Sequence, residues 1–136
     1  MQKLISVKSA SNIILTINIL ALFMHAMILL EILPYHFVWG GRVNSKADLL
    51  TLETISIVIQ TIFIIIIAIK AGYLFKGRFG RTVNVCIWVM FGIMVLNTIG
   101  NLLSISSLET MLMTPLTTLL AILLFRLGTD RTNRPV

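Results

Sequence analysis

Four apolar runs, parted by short polar or basic interruptions, set the pattern of this 136-residue chain. They cover roughly residues 13–33, 49–69, 83–103 and 111–127. A helix needs about 20 residues to cross a hydrocarbon core about 30 Å thick, and each run is near that length, the fourth being the shortest. Residues 62–69 are almost wholly β-branched and aromatic, which in water favours a strand. In lipid a lone strand leaves its backbone unpaired, so a helix is expected there too. The pattern therefore predicts an all-α polytopic membrane protein. Its single domain is a bundle of four transmembrane helices, near 12–33, 48–72, 82–104 and 109–127, running up and down.

The interruptions suit such a bundle. Gly72, Gly77 and Gly80 should separate the second helix from the third. Residues 104–107 allow a tight turn, with Ser106 or Ser107 capping the fourth helix and Glu109 in its first turn. Pro115 should kink or loosen the start of that helix. Lys3 and Lys8 before the first run also fit a signal peptide. The run is longer than the roughly 7–15 residues of a signal core and no clear A-x-A site follows, so a retained first span is expected.

Charge then orients the bundle. Nine of the eleven Lys and Arg residues lie before the first run, between the second and third, or at and beyond the end of the fourth, where Arg126 falls. Arg42 and Lys46 alone fall on the other side. The positive-inside rule thus predicts both termini in the cytoplasm, with 34–48 and 104–110 outside. The character is that of a small bacterial plasma-membrane protein.

Composition excludes several classes. Hydrophobic residues make up 57% and charged residues 12%, with mean hydropathy +0.99, whereas soluble domains carry about 25% charged residues. The net charge of +6 flanks apolar runs and forms no soluble basic face. The expected partner is therefore the lipid bilayer and not nucleic acid, with either a homo-oligomer or another membrane protein beside it. A single cysteine, Cys86, precludes an intrachain disulfide, a C-x-x-C pair and a thiolate metal cluster. There is no G-x-S-x-G, Walker or G-x-G-x-x-G motif, and no H-x₃-H spacing fixes a metal on one helix. No cofactor, no metal and no catalytic residue is predicted.

Candidate chemistry comes from polar residues inside the apolar runs. At 1.5 Å per residue, His25 and Gln60 fall near the midplane. Asn97 and Thr114 fall roughly 6–8 Å to the outer side, and Glu31, Glu53 and Asn101 roughly 10–12 Å. Glu53, Ser56 and Gln60 share a helix face, as do Asn97, Asn101 and Ser104, and Asn18 with His25. Exposing them to lipid is costly, about 1–3 kcal/mol for Glu53 at its depth, so the faces are expected to turn inward. Residues 31–42, Glu-Ile-Leu-Pro-Tyr-His-Phe-Val-Trp-Gly-Gly-Arg, form the outer connection above them. There His36 and Trp39 could form a lid, and Arg42 could pair with an acid or a lipid phosphate.

The predicted site is an outward-facing polar pocket that binds or moves a small ligand, ion or proton. Glu53 and His25 are its ionisable pair, Gln60, Asn97 and Asn101 its lining, and Glu31, His36, Trp39 and Arg42 its outer rim. Two other functions fit the residues. The polar stripes could only join helices, within an accessory or assembly subunit. Alternatively, His25 or Glu53 could act as general acid or base on a lipid-soluble substrate. Arg126 is expected to snorkel to the inner surface.

Overall fold

The computed structural model describes residues 4–35, 39 and 43–130. Among these residues there are four helices and no strand. They are α1 (Val7–Leu29), α2 (Lys46–Lys70), α3 (Gly80–Leu102) and α4 (Thr114–Gly128), the last preceded by a π-helical turn over Glu109–Met113. With that turn counted into α4, all four are long and apolar enough to cross a membrane, at mean hydropathies from 1.7 to 2.4.

Helix ends follow local chemistry more than hydropathy, and α1 departs furthest from its expected 12–33. Its start lies at Val7 because the Ser6 hydroxyl accepts the Ser9 N–H at 3.0 Å, so the polar residues before Ile13 are helical. Its end comes four residues before the apolar run does. Glu31 takes a left-handed φ of 59°, its N–H donates to Ile28 O at 2.9 Å and the Ile32 N–H donates to Met27 O at 2.9 Å. These two bonds form a Schellman cap, and Pro34 then keeps Leu33 from resuming the helix. The end of α2 repeats the cap with Gly72 at φ 80° and bonds from Gly72 to Ile69 and from Tyr73 to Ala68. The loosening expected from Pro115 takes the form of the π turn: a proline lacks the N–H that would continue the α ladder, so the ladder shifts register just before it.

The helices close into a ring in which each packs on two neighbours. The α1–α2 and α3–α4 seams are extensive and the α1–α4 and α2–α3 seams are thinner. Buried residues follow coiled-coil spacing, with Val83, Ile87, Met90 and Met94 on α3 and Leu120, Leu123, Leu124 and Leu127 on α4. Between α3 and α4, Trp88 meets Phe91 and Phe125 edge-on, both at 5.7 Å between ring centres.

Tie points at the helix ends give the registers. The end of α1 meets the start of α2 through His25 and Glu53. The start of α1 meets the chain just beyond α2, where the Tyr73 hydroxyl donates to Asn12 Oδ1 at 2.7 Å. At that same end of the bundle, Arg126 Nε on α4 donates to the Ile5 carbonyl at 3.1 Å, and Lys70 pairs with Asp130 at 3.4 Å.

Candidate functional site

One face of α2 carries Leu49, Glu53, Ser56, Gln60, Phe63, Ile67 and Lys70, spaced alternately by four and three residues. Phe63 and Ile67 anchor that face in the apolar core. The same face carries Glu53 inward a few turns earlier, where it is fully buried. On α1 the corresponding face runs Ala10, Ile14, Asn18, His25 and Ile28, all buried. Packing these two faces together brings the two ionisable residues into contact.

His25 Nδ1 lies 2.7 Å from Glu53 Oε2, and the Trp39 indole N–H donates to Glu53 Oε1 at 2.6 Å. Both carboxylate oxygens are therefore engaged, one by an aromatic donor from the connection and one by an imidazole. The depth offset expected between the pair is much reduced. With α1 ending at Leu29, His25 sits four residues, about 6 Å, inside its helix end. Glu53 sits seven residues, about 10 Å, inside the start of α2.

Above the pair is a groove of about 590 Å³. Ile28, a turn beyond His25, and Leu49, a turn before Glu53, both line it, together with Glu31, Tyr35, Ser45 and Lys46. Glu31 joins Lys46 at 2.6 Å in an exposed ion pair on this rim and does not join Glu53. Two turns below the pair are Asn18, whose Nδ2 donates to Ile14 O at 2.8 Å, and Gln60, whose Oε1 is buried without a hydrogen-bond partner among the described residues.

The other predicted lining residues belong elsewhere. Asn101 lies in the α3–α4 seam, where its Nδ2 is 3.4 Å from Thr117 Oγ1, an atom that also accepts from Thr98 at 2.9 Å. Ser104 donates to the buried carboxylate of Glu109 in the same seam. Asn97 is exposed, contrary to the expected inward stripe. The inward series on α3 passes from buried Met94 to half-buried Thr98 and Asn101, continuing the three- and four-residue steps set by Ile87, Met90 and Met94. Thr98 was the residue that the pattern missed, and its signal was its spacing from Ile87, Met90 and Met94. His36 and Arg42 lie outside the described residues. Arg126, expected to reach the surface, is buried at 8% exposure.

The polar stripes thus form two separate groups and not one four-sided pocket. The α3–α4 group is a chain of hydroxyls and amides that fits helix association. Only the α1–α2 group joins two ionisable side chains. Their contact is completed by the Trp39 indole, which donates to the second carboxylate oxygen. Among the described residues no group of three or more His, Cys, Asp or Glu side chains forms. No protein-family model, curated protein or solved structure matches the chain.

Proposed function

We propose that this chain is a small multi-pass protein of the plasma membrane that takes up and releases a proton at an outward-facing site, as the binding step of a small-ion or small-ligand carrier. The observation that carries this reading is the fully buried Glu53 held at 2.7 Å by His25. A buried acid is expensive to keep in a membrane helix and is retained where it pairs and works. The His25 side chain is 11% exposed and that of Glu53 0%, so exchange with the surroundings runs through the imidazole. The groove bounded by Ile28 and Leu49 supplies the outer approach, and Gln60 Oε1 offers an acceptor further in.

The antiparallel ties between α1 and α2 support an up-and-down bundle. The basic end, with Lys70 and Arg126, belongs in the cytoplasm with both termini. The pair then faces outward. The test is proton movement in vesicles containing the purified protein and a pH-sensitive dye. A pH jump outside should give a protein-dependent signal that Glu53→Gln abolishes and His25→Ala slows at least about tenfold. Equal signals from empty vesicles, or from all three proteins, would defeat the proposal.

A further inference from the structure

The end of the bundle away from His25 and Glu53 buries two cations, Lys70 and Arg126. Arg126, in the last turn of α4, is 8% exposed. Its Nε donates to the Ile5 carbonyl at 3.1 Å, but its Nη1 is buried with no hydrogen-bond partner among the described residues. A guanidinium has five N–H donors and is always charged, so an enclosed, unpaired edge is costly. No ion pair among the described residues involves Arg126. One turn further on, Asp130 faces Lys70, whose side chain is 3% exposed, at 3.4 Å. That separation is longer than the roughly 2.7–2.9 Å of a close charge-assisted bond. Two buried cations, Arg126 and Lys70, thus lie at this end, and Lys70 pairs with Asp130.

We infer that Arg126 is the anchor of an anion site for a phosphate oxyanion, with Lys70 as the second positive group. The flat guanidinium edge suits a tetrahedral oxyanion, which can take two parallel N–H bonds from it. Phosphate of this kind is carried both by an anionic lipid headgroup and by free inorganic phosphate. The site is at the opposite end from the proposed proton site and does not depend on it.

The experiment uses the full chain in neutral detergent. Thermal unfolding is followed against inorganic phosphate, with chloride at matched ionic strength as reference. Retention of phosphatidylglycerol against phosphatidylcholine is followed by native mass spectrometry. A phosphate-specific rise in Tm identifies free phosphate as a ligand, and selective phosphatidylglycerol retention without that rise identifies the headgroup. In either case Arg126→Gln should weaken binding at least about tenfold. Arg126→Lys, which keeps the charge and loses the fork, should weaken it by an intermediate factor. Arg81→Gln, at an exposed position, should leave it unchanged. If Arg126→Gln does not fold, the wild-type titrations and Arg126→Lys decide. Wild-type protein that prefers neither anion overturns the site, as does wild-type affinity in every Arg126 variant that folds.

Discussion

His25 Nδ1 and Glu53 Oε2 are 2.7 Å apart, although the residues come from different helices and are separated by 28 positions in sequence. The contact exists because the Schellman cap at Glu31 ends α1 early and so places His25 close to the end of α1 that meets the start of α2. Glu53 is fully buried, on the core face of α2. An acid enclosed in this way depends on its two donors, His25 and Trp39.

Removing one of those donors should therefore be expensive. His25→Ala is expected to lower stability by about 3 kcal/mol, since it leaves a buried carboxylate with only the indole. Asn97→Ala, at an exposed position, should change it by less than about 0.5 kcal/mol. Denaturant unfolding in mixed micelles measures both. A cycle combining His25→Ala with Glu53→Gln should return a coupling of about 1–3 kcal/mol, and additive losses would mean the pair is not an energetic unit.

Trp39 should report the charge of Glu53 directly. The chain has two tryptophans, so Trp88→Phe leaves Trp39 as the sole indole emitter. If the pair binds a proton as proposed, the Trp39 emission should shift in a step as pH is varied, because its N–H is donated to Glu53. Glu53→Gln should remove that step. A step of full size in the Glu53→Gln protein would detach Trp39 from the acid.

The α3–α4 seam makes a steric prediction. A Cβ added at Gly128 would lie 2.9 Å from Trp88 Cε2 and 3.2 Å from Cζ2. The Phe91 and Phe125 rings hold that indole edge-on and limit its retreat. Gly128→Ala should cost about 1–3 kcal/mol. At Gly92 and Gly100 the added methyl meets nothing within 4 Å, so alanine there should be neutral or stabilising. Thermal unfolding of the three variants in one detergent makes the comparison.

Glu31 yields a prediction of the opposite sign. It sits at φ 59°, where a side chain costs about 1–2 kcal/mol and glycine costs little. Its ion pair with Lys46 is solvent-exposed, at 72% and 58% side-chain exposure, and such pairs contribute about 0–1 kcal/mol. Glu31→Gly should thus raise stability slightly, by up to about 1 kcal/mol. Thermal unfolding of this variant beside the wild type measures the change, and a clear loss of stability would mean that the ion pair outweighs the backbone strain.

Much of the architecture could be read before any coordinates. The hydrocarbon thickness of a membrane demands about 20 apolar residues per span, and this constraint acts on each run of sequence separately. Four runs therefore announce four helices, and the structure has four at closely similar positions. The spacing of Glu53, Ser56 and Gln60 also marked one face, because helical periodicity is local. Hydropathy missed the ends of α1, since the Ser6 cap and the left-handed Glu31 are backbone hydrogen-bonding events that apolarity does not report.

What the sequence determined by itself is the set of spans, the polar faces on them and the asymmetry of charge. Only the tertiary structure decided which faces meet. It joined His25 to Glu53 under Trp39, moved Asn101 to Thr117, left Asn97 outside and enclosed Arg126. The physical reason is that a polar side chain in an apolar setting needs a partner, but several helices offer one at similar depth. The choice among them falls to side-chain packing, which pairs α1 with α2 and α3 with α4.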